Sequence, residues 1–372
     1  MDFATICSIP KTTVRHILIL SLSMSMPKAV LYYDPKSIWS SGALLTLMEK
    51  GYGDDELNLK IVDLSRGENY GPSFLRLNSK ATVPTLVVPL EKTLSDEVES
   101  RYKAITETKG IIEFLDKSRS PLSRTHTTSN APAPSLTPAT IAFSTTSKII
   151  IDDILHSEPA NPNNLLFMNA RDDLALRELS RAVFPLLKGK HQALSHYLAE
   201  AETGKITVTE KIKDFWRNEN TEVESLLSVF EKALQSSAEI DEESKIKRAA
   251  YFNIARVAWE TGMPKILTKL NDEVIGPFAL GEQVSIADLH LAPWLAHVAK
   301  LAGATTSDDG SSAIEKIEKH VGNGFSLTRV NLPVDLMKLE GARPASRSKL
   351  AAFWDVVKER PSWKKIYADG LV

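Results

Sequence analysis

The sequence pattern changes once along the chain, and that change limits the folds open to it. Over residues 27–117, short strand-like runs alternate with helical segments, whereas residues 139–372 carry only helical periodicity. The residues between them, 118–138, read SRSPLSRTHTTSNAPAPSLTP, and this Ser/Thr/Pro-rich composition predicts an exposed linker. The sequence therefore predicts an α/β domain followed by an all-helical domain.

The first of these domains has a recognisable order of elements. The apolar runs and helix signals give the order β-α-β-α-β-β-α. A helix that joins the first two strands implies that the sheet contains a parallel pair. The predicted strands are residues 29–33, 57–64, 83–88 and 101–104, and the predicted helices are residues 42–50, 74–77 and 106–117.

The bulk composition argues against several classes of function. A formal net charge of -2 argues against a nucleic-acid-binding protein, because such domains are usually strongly basic. No apolar run approaches the roughly 18 to 20 residues that span a bilayer, so we predict no membrane span. The single cysteine, Cys7, can form neither an internal disulfide nor a zinc cluster, which fits a cytoplasmic protein.

Residues 1–26 precede the first predicted strand, and we expect them to form a disordered N-terminal extension. They contain a short apolar run, residues 17–20, which follows the basic residues Lys11 and Arg15. This run is too short for the apolar part of a good secretion signal. A mitochondrial presequence stays open as the alternative to a cytoplasmic location.

The dipeptide Val83-Pro84 opens the third predicted strand. In a thioredoxin-like sheet, a cis-proline at this point turns the backbone N–H and C=O of the preceding residue toward the ligand. Those two groups can then pair with a bound peptide as a neighbouring strand would. The alternative is an ordinary trans proline in an edge strand, since only about 5–6% of X–Pro bonds in folded proteins are cis.

Glu107 and Thr108 open the helix that follows the sheet. An acid followed by a hydroxyl at a helix N-terminus can bind both ends of an α-amino acid. The carboxylate takes the ammonium group, while the hydroxyl and the free N–H groups take the carboxylate of the ligand. The alternative is plain helix capping, with Thr106 as the N-cap and Glu107 favoured by the helix dipole.

Ser37, with Ser40 and Ser41 close behind, lies between the first strand and the first helix. A hydroxyl that donates to a thiolate at this helix N-terminus would lower the pKa of the thiol. The alternative is a loop or N-cap serine. In the helical domain, Ser285 and Asp288 form a capping box, which we interpret as structural.

Taken in this order, these segments resemble the glutathione S-transferase superfamily, its fungal members in particular. The resemblance implies a thioredoxin-like glutathione-binding domain followed by an enlarged all-helical domain. It implies that Val83, followed by Pro84, binds the cysteinyl part of glutathione and that Glu107 and Thr108 bind its γ-glutamyl end. The segments that carry it are YYDPKSIWSSGALLTLMEKG, NSKATVPTLV, AITETKGIIEFL, FALGEQVSIADLHLAPWL and KLAAFWDVVKERPSWKKIYADG.

The resemblance also implies a function. Ser37 stands where serine-type members activate the glutathione thiol, which favours conjugation of glutathione to a hydrophobic electrophile in detoxification. Trp39, beside this position, is a candidate for lining the substrate pocket. A non-catalytic binding or scaffold protein and a glutathione-dependent lyase or etherase are the alternatives, because the loop around Ser37 is atypical. The implied partners are glutathione as co-substrate, a hydrophobic small molecule and a second copy of the chain in a homodimer, with no metal.

Overall fold

The computed structural model describes residues 28–89, 102–120, 129–331 and 346–372. The N-terminal extension predicted for residues 1–26 lies outside these ranges. Arg101 of the predicted fourth strand and residues 121–128 of the predicted linker lie outside them as well. No helix in the described ranges combines the length and the hydrophobicity that crossing a membrane requires.

A mixed sheet organises the described part of the N-terminal domain. The strand order is β2-β1-β3-β4, with β1 parallel to β2 and the other neighbours antiparallel. This confirms the predicted parallel pair and a thioredoxin-like arrangement. The strands are β1 (Ala29–Tyr33), β2 (Leu57–Ile61), β3 (Thr85–Pro89) and β4 (Tyr102–Ile105).

The helices of this domain are α1 (Ile38–Glu49), α2 (Pro72–Leu75) and α3 (Thr108–Ser118). The apolar sides of α1 and α3 share one buried cluster with the sheet. In this cluster Ala43 and Ile111 pack with Leu31 of β1, which is completely buried. Burial of this apolar surface fixes both helices on the sheet.

Helix α1 begins earlier than its sequence pattern predicts. The pattern gives a polar loop up to residue 41, whereas the helix starts at Ile38 with Ser37 as its N-cap. Ser40 and Ser41 are buried in the first turn, where the backbone satisfies their hydroxyl groups. The Ser40 hydroxyl accepts from the Asp34 N–H at 3.4 Å, and the Ser41 hydroxyl donates to the Ser37 carbonyl at 3.3 Å.

The described part of the C-terminal domain is helical apart from a short antiparallel ribbon. This ribbon pairs β5 (Val330–Asn331) with β6 (Ser346–Arg347), and the all-helical prediction does not include it. The helices are α4 (Ile141–Lys148), α5 (Pro162–Phe167), α6 (Asp173–Glu202), α7 (Glu210–Phe230), α8 (Glu242–Arg256), α9 (Met263–Glu273), α10 (Ile286–Leu301), α11 (Gly310–Val321), α12 (Lys349–Lys358) and α13 (Pro361–Ile366). Two π-helical segments extend them, Ile149–Leu155 after α4 and Val257–Gly262 between α8 and α9.

Helix α10 lies at the centre of the helical domain, where every residue from Ile286 to Ala299 is buried. The indole N–H of Trp294 donates to the Ala160 carbonyl at 2.8 Å. Helix α1 of the other domain packs directly on α10. A Cβ at Gly42 would lie only 2.8 Å from the Leu289 carbonyl oxygen, so the close approach of the two helices requires glycine there.

Helix α6 runs without interruption through Pro185 and Gly189, although proline and glycine in a helix interior commonly kink or divide it. Together with α7 it forms a long hairpin that reaches the N-terminal domain. The backbone of Gly189 lies against the turn at Leu64–Arg66, and a Cβ there would lie 1.9 Å from the Ser65 carbonyl oxygen. The glycine serves close packing between the domains.

Residues 129–138, the described end of the predicted linker, are packed on the N-terminal domain. Ala133 and Leu136 are buried, so the prediction of an exposed linker is wrong at these positions. The Arg119 guanidinium donates to the Ala131 carbonyl at 2.9 Å, and the Asp116 carboxylate accepts from the Leu136 N–H at 3.0 Å. The segment has few apolar residues to bury, so burial alone would not offset the entropy lost when it becomes ordered. The hydrogen bonds to Arg119 and Asp116 supply the remaining stabilisation.

Candidate functional site

The sheet topology brings the three predicted ligand-binding segments to one edge. Strands β1 and β3 are antiparallel, with Tyr32 opposite Thr85, and β3 and β4 are antiparallel, with Leu86 opposite Ile105. The C-terminal ends of β1 and β4 therefore lie beside the beginning of β3. Ser37 follows β1, Val83 and Pro84 precede β3, and Glu107 and Thr108 follow β4.

The peptide bond between Val83 and Pro84 is cis, as the resemblance predicts. The Val83 side chain is buried beside Val62 and Phe74. Within the described residues, neither the backbone N–H nor the C=O of Val83 has a hydrogen-bond partner. Because backbone groups in folded proteins are nearly always paired, this N–H and this C=O are available to a ligand.

Glu107 is the N-cap residue of α3, and no side chain caps this helix. The capping alternative, with Thr106 as the N-cap, is therefore wrong. Glu107 is exposed and forms an ion pair with Lys80 at 2.5 Å, while Thr108 is buried. The uncapped N–H groups of the first turn, with the positive end of the helix dipole, make this end of α3 suitable for a ligand carboxylate.

Ser37 is half-buried, whereas Ser40 and Ser41 are buried, so Ser37 is the serine of the three that a ligand can reach. Its hydroxyl oxygen accepts from the Ser40 N–H at 3.3 Å. A hydroxyl that accepts one hydrogen bond still has its own hydrogen to donate. Capping of α1 and donation to a thiolate are therefore compatible roles for Ser37.

The buried Asp34 holds the loop in front of Ser37. Its carboxylate accepts from the Lys36 N–H at 2.7 Å and from the Leu64 N–H at 3.0 Å. The first contact closes the turn after β1, and the second fastens this turn to the segment after β2. The carboxylate thus fixes the direction in which the chain enters α1.

Trp39 and two histidines form a cluster between the domains. The Trp39 ring stacks on His156, with centroids 4.3 Å apart and an interplanar angle of 16°. His156 Nε2 lies 3.0 Å from His290 Nδ1. Desolvation lowers the pKa of both histidines below the ordinary value, through full burial for His290 and through the packed rings around the more exposed His156, although the negative charges of Asp152 and Glu107 oppose the effect on His156. Both rings are therefore neutral at pH 7.

The second histidine of α10 belongs to a different environment. His290 and His297 are seven residues apart, but the His297 ring nitrogens lie 3.2 Å from the Pro162 carbonyl and 3.3 Å from the Val372 carbonyl. Burial lowers the pKa of His297 to about 4. Across the described ranges, no three His, Cys, Asp or Glu side chains are grouped so that they could hold a metal ion.

Ser285 and Asp288 form a capping box at the start of α10. The Asp288 carboxylate accepts from the Ser285 N–H and from the Ala279 N–H, each at 2.7 Å. Burial raises the pKa of Asp288 to about 6, against the lowering effect of these hydrogen bonds. The two residues lie at the start of the central helix and fasten the preceding loop to it.

Two surface clefts lie away from the predicted site. One, of about 360 Å³, lies beside the contact between the turn at Leu64–Arg66 and α6 and is lined by residues that include Arg66, Gln192 and Tyr197. The other, of about 330 Å³, is lined by residues that include Lys50 and Asp116. Ser37, Val83 and Glu107 line neither cleft.

Residues 36–118 match the family model described as the glutathione S-transferase N-terminal domain. The matched segment begins just before Ser37 and contains Val83, Pro84, Glu107 and Thr108. The match covers the N-terminal domain alone, and together with the thioredoxin-like sheet that carries these residues it shows that this domain is similar to the N-terminal domain of glutathione S-transferases.

Solved structures of glutathione transferases are similar to this chain at low identity. Poplar glutathione transferase F1 is 15% identical, with 92% of this chain and 98% of that chain covered and a TM-score of 0.42. Gtt2 from Saccharomyces cerevisiae is 14% identical, with 91% and 99% covered and a TM-score of 0.43.

Sequence reasoning missed the helical-domain side of the site. His156 and His290 are 134 residues apart, so no local spacing could have indicated their contact. The ion pair between Lys109 and Asp152, at 2.6 Å, also joins the two domains and was not predicted. The only signal in the sequence was Trp39, whose position beside Ser37 suggested a pocket wall.

Proposed function

We propose that this chain is a glutathione-dependent transferase that joins the glutathione thiolate to a hydrophobic electrophile. The observation that carries the proposal is the shared edge of the sheet at which Ser37, Val83 and Glu107 lie. A cytoplasmic role in detoxification and a homodimeric state belong to the same proposal and rest on the family resemblance alone.

The free backbone groups support the binding of glutathione as a peptide. Its cysteinyl residue pairs with the N–H and C=O of Val83, which have no partner in the described part of the chain. The γ-glutamyl carboxylate binds the uncapped start of α3 and the Thr108 hydroxyl. The γ-glutamyl ammonium binds Glu107, whose exposed pair with Lys80 is readily exchanged because such pairs contribute at most about 1 kcal/mol.

The chemistry then follows from the position of Ser37. Its hydroxyl donates to the sulfur atom at the N-terminus of α1, where the helix dipole also favours negative charge. Both effects stabilise the thiolate relative to the thiol and raise the fraction of reactive glutathione at pH 7. Trp39, which is half-buried two residues after Ser37, supplies an aromatic surface for the electrophile beside this sulfur.

Glutathione affinity should depend on the charge of Glu107. We expect the Glu107→Gln variant to bind S-hexylglutathione about 10- to 100-fold more weakly, because it loses a hydrogen bond between charged groups. Isothermal titration measures this. Glu113→Gln is the matched control, because Glu113 lies on the same helix and its pair with Lys117, at 3.7 Å, is two turns away. No measurable binding by the wild type, or equal loss in both variants, would reject the proposed site.

The rate of conjugation should depend on the Ser37 hydroxyl. We expect Ser37→Ala to lower the rate about 10- to 100-fold and to raise the pKa of bound glutathione, as loss of one donor to a developing anion does. The absorbance of the thiolate across a pH series reports this pKa. Ser37→Thr, which keeps a hydroxyl and a helix cap, is the control. Tight binding without turnover of any electrophile by the wild type would favour the non-catalytic alternative instead.

A further inference from the structure

The contact between His156 and His290 has no part in binding glutathione, yet it adjoins the predicted thiol position. His156 lies at the C-terminal end of the π-helical segment Ile149–Leu155, and its ring stacks on Trp39, two residues after Ser37. An ion pair also holds the segment Ile149–Leu155 to the start of α3, which carries Glu107 and Thr108. Asp152, one turn before His156, accepts from Lys109 in the first turn of α3 at 2.6 Å.

The two histidines differ in exposure. His290 is completely buried, and its Nε2 has no hydrogen-bond partner. His156 is an exposed residue whose Nε2 faces His290, so its Nδ1 is left for solvent or for a ligand. Within the described residues, Nδ1 of His156 has no protein partner. A ring held on one face and at one nitrogen thus keeps its other nitrogen available for a ligand.

The buried end of the pair determines where the protons lie. If His290 carried its hydrogen on Nε2, a buried N–H would be left without an acceptor, which proteins rarely tolerate. With the hydrogen on Nδ1 of His290, only a lone pair is unpartnered, and Nδ1 donates to Nε2 of His156. Neutral His156 then carries its own hydrogen on Nδ1. The exposed nitrogen is a hydrogen-bond donor, not a base.

The charges around the pair keep it neutral. Asp152 and Glu107 face His156 and favour its protonation, but Lys109 and the desolvation of the ring oppose this, and the pKa of His156 is lowered overall. His290 faces His156 and Lys109, and burial with these neighbours lowers its pKa well below the ordinary value. At pH 7 the donor is therefore a neutral imidazole, which polarises an oxygen without losing its proton.

We propose that His156 is a catalytic hydrogen-bond donor to the electrophile, and that His290 is the positioning residue that fixes its tautomer. This inference rests on the proposed transferase function. The electrophiles whose reaction this donor accelerates are those in which negative charge develops on oxygen, such as alkenes conjugated to a carbonyl group. Electrophiles attacked at a saturated carbon, such as alkyl halides, develop no negative charge on oxygen, so the donor does not accelerate their reaction.

The step balances without a further reagent. The thiolate forms a carbon–sulfur bond at the alkene, and the π electrons move to the carbonyl oxygen, which accepts the hydrogen bond from Nδ1 of His156. The enolate then takes a proton from water. That proton replaces the one that the thiol released on ionisation, and His156 keeps its own hydrogen throughout.

The test compares the rates of the full-length protein with two electrophiles, an α,β-unsaturated ketone and an alkyl iodide. His156→Phe keeps a ring to stack on Trp39 but lacks the donor, whereas His156→Asn places an amide N–H near the former Nδ1. We expect His156→Phe to lower kcat/KM with an α,β-unsaturated ketone about 10- to 100-fold, as loss of one oxyanion donor does, and to lower the rate with an alkyl iodide much less. His156→Asn should restore most of the ketone rate.

Each outcome decides the question. The alkyl iodide reaction uses the same glutathione site, so turnover of the iodide by the variant also shows that the variant is folded. Equal loss with both electrophiles, no loss with the ketone, or turnover of the iodide alone by the wild type would overturn the role of His156 and leave the transferase proposal intact. A wild type that binds glutathione but turns over neither electrophile would overturn both.

A second pair of variants tests the positioning role. His290→Leu removes the partner of Nε2, while His290→Asn keeps an N–H close to the former Nδ1. We expect His290→Leu to lower the ketone rate severalfold, to spare the iodide rate, and to introduce a pH dependence as His156 becomes free to change tautomer and to ionise. An identical loss in the Leu and Asn variants would contradict a positioning role.

Discussion

Replacement of Asp116 by alanine is expected to lower the free energy of unfolding by about 3–5 kcal/mol, because it leaves a buried ammonium without its partner. Asp116 and Lys50 are both buried, with Nζ of Lys50 2.8 Å from the carboxylate. The carboxylate also accepts from the N–H groups of Leu136 and Thr137, each at 3.0 Å. One side chain thus joins α1, α3 and the segment that connects the two domains.

The pKa of Asp116 is consistent with this role. Burial acts to raise it, but the hydrogen bonds from Lys50 and Thr137 hold it below the ordinary value. The folded protein therefore stabilises the ionised form of the carboxylate. Its contribution to stability is fully present above the pKa of the unfolded chain and is lost as the pH falls through the folded pKa.

Urea-induced unfolding of the variants measures the effect. Asp214→Ala is the matched control, since Asp214 pairs with Arg217 at a similar distance, 2.8 Å, but on an exposed helix face. Exposed pairs contribute at most about 1 kcal/mol, so this control should change little. The double variant Lys50→Met/Asp116→Leu should recover part of the loss, because it removes both buried charges. A loss at Asp116 no larger than in the control would contradict the argument.

Local signals in the sequence were sufficient for most of the fold. Helix α3 follows from apolar periodicity, since burial on one side leaves that pattern. The errors occur where polar groups are satisfied inside the protein. Ser40 and Ser41 suggested a loop but are buried in α1, and the hydroxyl groups bond to nearby backbone. The segment at Leu136 suggested a linker but is held by Asp116.

The candidate site also combines residues that local sequence segments predict with contacts that they do not. The resemblance predicted Ser37, Val83 and Glu107, because each lies in a short segment at the end of a strand. It could not predict the pairing of His156 with His290, which depends on how α4 and its π-helical extension pack against α10. Contacts between elements far apart in the chain leave no spacing for sequence reasoning to detect.

Acidification from pH 7 to pH 5 is expected to destabilise the protein by at least about 3 kcal/mol, through histidines that are buried as neutral rings. Burial lowers the pKa of His297 and of His320 to about 4 in the folded state, against about 6.5 in the unfolded chain. The unfolded state therefore binds more protons, and stability is lost as the pH falls below 6.5. Each of these two histidines contributes about 2 kcal/mol of this loss by pH 5.

Asp288 stabilises the folded protein as the pH falls and so offsets part of the loss from the histidines. Its pKa is raised to about 6, so the folded state takes up a proton first and gains about 1 kcal/mol on the way to pH 5. Urea unfolding at several pH values checks the sum. His297→Gln and His320→Gln should each flatten the profile, whereas His196→Gln, at an exposed position, should not. A wild-type profile that is flat between pH 7 and pH 5 would mean that the buried rings accept protons without cost, contrary to their desolvation.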